Sequence, residues 1–230
     1  MNTMNRPDFA ISGIGNTGGG EFHRVELEGV SKVDGSLDCH SFSMNGMATV
    51  KGSVRAEERF KASGTLTVDG SVQAAVMQLE GHIKVRGGLR CDHYQINGYM
   101  KVYGDCMAFQ CQVKGAMNVG GVLSADRLEI DLDGPVRAEI IRCRELRMKH
   151  GGSSSIKRLL HSILPANWQA HMRADRIEGD DLELKETTAA LVRGRRVSIG
   201  AGSVIDRVEY ETELIVHPDA VVRNRAKVQV

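Results

Sequence analysis

The chain has 230 residues, enough for one or two domains, and its 30 basic and 29 acidic residues leave a formal charge of +1. That balance gives no reason to expect a nucleic-acid partner. Aromatic residues make up only 4% while glycine numbers 26, which speaks against an ordinary globular core and suits a thin interior lined by Val, Ile, Leu and Ala.

Residues 1–21 are polar and glycine-rich with little to bury, and read as a disordered tail. Gly13-x-Gly15-x-x-Gly18 has the outline of a dinucleotide fingerprint but lacks the preceding strand, the βαβ context and the following helix that the chemistry needs. Phe9, Ile11 and Ile14 could at most form a weak apolar foot on a membrane. No apolar run approaches membrane-spanning length and no signal peptide is evident, so the expected location is cytoplasmic. Val25 and Leu27 open the first partial coil of a long repeat.

From Gly29 to Ile130 one phrase, Gly-x-x-x-Val-x-Gly, recurs six times, at Gly29/Val33/Gly35, Gly46/Val50/Gly52, Gly64/Val68/Gly70, Gly81/Val85/Gly87, Gly98/Val102/Gly104 and Gly115/Val119/Gly121. The starts are 17, 18, 17, 17 and 17 residues apart, the regular short period of a solenoid. Two residues past each phrase comes a core-type residue (Leu37, Val54, Val72, Leu89, Cys106, Leu123), then a small one (Cys39, Ala56, Ala74, Cys91, Ala108, Ala125). An alternating pair such as Phe42/Met44 or Tyr94/Ile96 closes each unit. Alternation at period two means strands with one face in and one out. A helical repeat would need about 30 residues. The fold class is therefore all-β, a parallel β-helix block over 22–148 with three short strands per coil and glycines at the corners. Val33 through Val119 should stack as one interior ladder, extended by Val136. The corner glycines are expected to allow positive φ and close approach of successive turns.

After Ile130 the register survives in Cys143, Leu146 and Met148, a seventh coil. Residues 149–173 interrupt it. No acidic residue occurs from Lys149 to Ala174, whereas Lys149, Lys157, Arg158 and Arg173 are basic. Ile156, Leu159, Leu160, Ile163 and Leu164 fall on one face of a short helix that Pro165 stops, followed by the single tryptophan, Trp168. With Lys157 and Arg158 beside that face, this amphipathic insertion is a candidate membrane or partner contact, or a lid on the solenoid flank. From Ala174 a second block, residues 174–230, begins with a 15-residue period that aligns Ala174, Ile177, Gly179, Leu182 and Leu184 with Ala189, Val192, Gly194, Val197 and Ile199. It continues through Leu214 and Val216 into a tail at Val221–Val230.

Catalytic constellations are not found. The eight histidines fall mostly on polar positions, without a nucleophile and an orienting group. Four of the five cysteines, Cys39, Cys91, Cys106 and Cys111, occupy inward positions; Cys39 and Cys91 share a ladder three coils apart, about 14 Å at the strand spacing, too far to bridge. No cofactor and no metal site is expected. Ile199-Gly-Ala-Gly-Ser-Val-Ile205 resembles one hexad of the left-handed β-helix acyltransferases. It gives the alternative reading, an acyltransferase-like enzyme or a non-polymerising adaptor.

Coils of about 17 residues built on Gly-x-x-x-Val-x-Gly-x-Leu/Val-x-Ala resemble the bactofilins, bacterial polymer-forming cytoskeletal proteins, and Val192–Gly202 followed by Val208-Glu-Tyr210 resembles a Gram-positive subgroup of them. The resemblance implies a right-handed β-helix that assembles end to end, without nucleotide, into filaments that serve as non-enzymatic scaffolds at the inner face of the cell membrane for envelope, morphogenesis or motility machinery. The implied partners are further copies of the chain, a related bactofilin chain, and a peripheral membrane contact. Physical reasoning points the same way, because the end coils of a solenoid expose unpaired strand edges and an open apolar lumen. The candidate polymerisation residues are Val25 and Leu27 at one end and Leu214, Ile215, Val216, Val221 and Val222 at the other.

Overall fold

The computed structural model describes residues 6–150 and 170–228. Among these lie thirteen strands: β1 (Phe9–Thr17), β2 (Gly20–Val33), β3 (Leu37–Val50), β4 (Val54–Val68), β5 (Val72–Val85), β6 (Leu89–Val102), β7 (Cys106–Val119), β8 (Val122–Arg137), β9 (Ile140–His150), β10 (Met172–Leu184), β11 (Thr187–Ile199), β12 (Val204–Val216) and β13 (Val221–Lys227). Each pairs in parallel with the next, in chain order. The described residues contain no helix. The architecture is a parallel β-solenoid.

A strand here is most of a coil: β3 covers 14 residues and turns two corners without losing its ladder. Each coil presents three faces. In β3, Leu37 and Cys39 point inward from the first face, Phe42 and Met44 from the second, Ala48 and Val50 from the third. The same positions stack coil upon coil, so Leu37, Val54, Val72, Leu89, Cys106, Leu123 and Ile141 form one buried column. Phe42 and Phe60 stack with ring centroids 4.6 Å apart. The buried Tyr94 hydroxyl lies among sulfur atoms, 3.4 Å from Met100 Sδ and 3.9 Å from Cys106 Sγ.

The two sets of repeat glycines do different work. Gly29, Gly46, Gly64, Gly81, Gly98 and Gly115, at the corner between second and third faces, all have positive φ, from 93° to 137°. A Cβ on any of them from Gly46 onward would press into the carbonyl oxygen of the glycine one coil below. The second set corrects the expectation of positive φ at every corner: Gly35, Gly52, Gly70, Gly87, Gly104 and Gly121 are not in the left-handed region. There the need is close approach, and the following serines complete the turn. Ser36 Oγ accepts from Ser53 N (3.0 Å), Ser53 Oγ from Ser71 N (3.0 Å) and Ser71 Oγ from Gly88 N (3.2 Å). Val-x-Gly-Ser at Val33, Val50 and Val68 is the legible sign of this ladder. The single 18-residue step, from Gly46 to Gly64, comes from one extra residue at the first corner, Glu57–Glu58, where the register shifts.

Three further expectations change. The segment read as a disordered tail contains β1, paired from Phe9↔Val25 to Thr17↔Val33. The segment read as a C-terminal tail contains β13, paired with Val204–Tyr210. Val136 stacks on Met117 instead of on Val119, because extra residues before Pro135 displace the register by two.

The expected helix at Ile156–Leu164 and Trp168 lie outside the described residues. The strands on either side do establish where the insertion sits. Residues 140–148 lie on β8, Arg176–Glu183 of β10 lie on β9, and Met172–Arg173 lie on Val136–Arg137 of β8. Each face is thus covered in turn by the next passage of the chain. The insertion leaves and re-enters at the corner used by the positive-φ glycines, and the two blocks form one continuous solenoid. The 15-residue alignment holds, with Ala174↔Ala189, Ile177↔Val192 and Leu182↔Val197 in register.

Candidate polymerisation interface

The lower end of the solenoid is β1, whose only strand neighbour among the described residues is β2. Phe9 and Ile11 occupy the inward positions above which Val25 and Leu27 lie, and both pack against the core while remaining partly exposed. The Phe9 and Phe22 rings lie 4.9 Å apart. Ile11 folds beneath Gly15, where a Cβ would meet Ile11 Cγ2 at 2.7 Å. Arg6 anchors this end along the first face, 3.4 Å from Glu21, 2.9 Å from Asp38 and 3.4 Å from Glu57.

This placement corrects the candidate residues. Val25 and Leu27 are 0% and 1% exposed, one coil inside the structure. Phe9 and Ile11 take the terminal role that the sequence pattern suggested for Val25 and Leu27. The signal was present: Gly13-x-x-x-Thr17-x-Gly19 is the repeat phrase with Thr for Val, 16 residues before Gly29, and Phe9/Ile11 is its closing pair.

The upper end is β12 and β13. β13 covers only Val204–Tyr210 of β12, so Glu213–Val216 pair below with β11 and have no described strand above. Leu214 and Val222 are partly buried against the core, as is Ala220, and Val216 is half-buried. Ile215 and Val221 instead point outward, 54% and 52% exposed, Val221 beside exposed Val204. In the final coil the core column that runs Ile177, Val192, Val208 ends in Arg225. Arg225 is exposed, as is Lys227, which follows above Tyr210.

Between the ends, stacked exterior positions carry ion pairs from coil to coil. Arg144 binds Asp126 through two bonds, 2.8 and 2.7 Å, and Arg196 binds Asp181 likewise, 2.6 and 2.7 Å. Glu209, buried, is held between Arg193 (Nε 2.7 Å) and Arg207 (Nε 2.8 Å). These arginines hold the Asp126, Asp181 and Glu209 carboxyls below the usual carboxylate range. A carboxyl whose folded pKa is depressed stabilises the fold above its ordinary pKa and ceases to do so as pH falls through the folded value. The thermal midpoint should be level from neutrality to about pH 5 and decline below about pH 4. A triple Asp126→Asn, Asp181→Asn, Glu209→Gln variant should show a shallower acid decline in scanning calorimetry. An unchanged slope would refute this assignment.

The cysteines, histidines and hexad singled out in the sequence are dispersed over the solenoid. All five cysteines are free and buried, and burial pushes the Cys39, Cys106 and Cys143 thiols up to about 12. His23 and His40 stack 5.2 Å apart, and His40 Nε2 lies 3.0 Å from Glu58. His171 shares a 2.8 Å hydrogen bond with Thr188 Oγ1. Among the described residues, no three His, Cys, Asp or Glu side chains are grouped to hold a metal, and no helix is long and apolar enough to cross a membrane. The Ile199–Ile205 hexad forms the corner from β11 into β12, with Gly202 at φ 71°.

The chain is 38% identical over 236 aligned positions to a Bacillus subtilis (strain 168) protein described as "Uncharacterized protein YhbE", the match covering 95% of this chain and 97% of the relative. A local match, 43% identical over 54 residues, spans 24% of this chain and 23% of "Uncharacterized protein YhbF" of the same organism. No protein-family model matches, and no solved structure matches significantly.

Proposed function

The chain belongs to the YhbE family, and we propose that it is a non-enzymatic scaffold of the bactofilin kind, assembling through its coil ends into nucleotide-independent filaments. One observation carries this reading: among the described residues, both terminal strands of the thirteen-strand solenoid have a single neighbour and bring partly exposed lumen residues, Phe9 and Ile11 below and Leu214 and Val222 above, to the open ends. Unpaired edges of this kind are templates for further strands, and a quasi-one-dimensional stack gains a full coil interface from each added copy. The 17-residue repeat on Gly-x-x-x-Val-x-Gly supports the bactofilin likeness, and with it a right-handed coil, the usual hand for crossovers between parallel strands. Recruitment to the inner face of the membrane through Ile156–Leu164 and Trp168, or co-assembly with a related chain, belongs to the same reading.

Negative-stain electron microscopy of the purified protein without nucleotide, across ~0.05–0.5 M salt to vary screening, tests it. Filaments or ribbons are expected. Ile11→Arg or Leu214→Arg should abolish them while leaving the circular dichroism of the solenoid intact, because each places a charge in an end contact and neither lies in a closed coil. Discrete trimers from the parent protein would favour the acyltransferase-like alternative, and monomers an adaptor.

A further inference from the structure

We propose that an exterior ladder on the third face, headed by Ile14, Val30 and Met47, is a lateral contact between two copies of the chain lying side by side in the same direction; this rests on the scaffold reading above. In each lower coil the residue after the positive-φ glycine points outward. In register these residues are Ile14, Val30, Met47, Thr65, His82 and Tyr99. Ile14, Val30 and Met47 are 90%, 47% and 56% exposed, an aliphatic strip on three successive coils. The ladder stops at β7, where Ala116 lies opposite residues 133–135 and is buried.

The charges beside the ladder select a second copy as its occupant and fix the orientation. Over these six coils, the column two residues later holds Lys32, Lys84 and Lys101 and no acidic residue. The column two residues earlier holds Glu28 and Glu80 and no basic residue. A twofold axis parallel to the solenoid lays each ladder residue against its own counterpart and exchanges the two flanks. Such a contact is isologous and self-complementary. Lys32 then faces Glu28 of the neighbouring copy, Lys84 faces Glu80, and Lys101 faces the uncharged Asn97. The reverse orientation would set the lysine column against itself. An anionic lipid surface would meet both glutamates as well as the lysines, and neither glutamate has an ion pair among the described residues.

Size sets when the contact forms. At one strand spacing per coil the ladder is about 24 Å tall, and it is one residue wide. A strip that narrow falls well short of the roughly 1,200 Å² that a stable interface buries, so it does not hold two isolated chains together. Along two filaments the same contact recurs with every copy, and linked contacts reinforce one another. Lateral pairing is therefore a property of the filament and not of the single chain.

Cross-linking of full-length filaments with a short bismaleimide tests the contact. Met47→Cys and His82→Cys, two coils apart on the ladder, are made as separate proteins and treated alone and mixed; the native thiols are buried. Sheets packed face to face lie about 10 Å apart, a gap that two side chains and such a reagent span. Each variant should give a dimer with itself, at comparable yield. Adding Lys84→Glu, or the assembly-blocking Leu214→Arg, to Met47→Cys should lower its yield about five-fold or more, and Glu80→Lys should reverse the loss caused by Lys84→Glu. Dimers from only one variant, or only from the mixture, would place the axis across the solenoid and overturn the proposed orientation. Filaments that give no cross-link would remove the lateral contact and leave the scaffold reading standing. Loss of binding to phosphatidylglycerol vesicles in Val30→Glu would then give the ladder to a lipid surface. Absence of filaments would remove the proposal and the scaffold reading together.

Discussion

Gly81→Val is expected to cost at least about 2–3 kcal/mol, the strain of a β-branched residue held at positive φ, and to leave the middle coils unfolded at physiological temperature. Gly81 has φ 108°, and a side chain there meets the Gly64 carbonyl. That carbonyl belongs to β4, which is paired along its length with β3 and β5 of the adjacent coils, so it cannot move aside as a flexible side chain would. The same obstacle recurs at every coil from Gly46 to Gly115. Contacts in a solenoid reach only the adjacent coils, so lost hydrogen-exchange protection should centre on β4, β5 and β6. Gly18→Ala is the control, because Gly18 is not at positive φ and a Cβ there meets nothing within 4 Å. If Gly81→Val unfolds in urea no more readily than that control, the corner glycines do not carry the stability assigned to them.

Phe60→Ala should destabilise by about 3–5 kcal/mol, the usual cost of deleting a buried aromatic ring and leaving its cavity. Phe60 is 1% exposed and stacked on Phe42. The columns above and below are fixed by parallel hydrogen bonds at one strand spacing, so neighbouring side chains cannot close the gap by sliding along the axis. Phe42→Ala should cost a comparable amount. The double variant should cost less than the sum by about 0.5–1.5 kcal/mol, the coupling of a packed ring pair. Strict additivity in chemical denaturation would mean that the rings fill space independently.

Stability and assembly should thus separate in this molecule. Gly81 and Phe60 lie in closed coils, where substitutions lower the stability of their own coil and the coils beside it. Ile11 and Leu214 lie on open layers, where a charge alters what the end can bind.

The repeat made the fold legible because every inward column is built from residues at one sequence interval. Phe42/Met44 and their counterparts, the phrase valines and the small residues after them all fell on buried positions. The seventh coil and the 15-residue alignment of the second block were readable for the same reason. Features that the sequence alone did not disclose depended on pairing across a coil. β1 escaped notice because its segment is polar in composition and its phrase has Thr17 for valine. Its order comes from hydrogen bonds to Val25–Val33, a partner that no local pattern names. Val136 went to the wrong column because extra residues at a corner shift register without altering the alternation of the strands beside them.

Continuity across the insertion was likewise a tertiary decision. Met172 returns to Val136, 36 residues earlier, because an uncovered strand edge and its open lumen are satisfied only by the chain's next passage. Sequence by itself determined the coil, its period and its lining, since those follow from local alternation and glycine. Only the tertiary structure decided where the stack begins, where it ends and which faces stay bare, since these are set by hydrogen bonds between coils and not by composition within one.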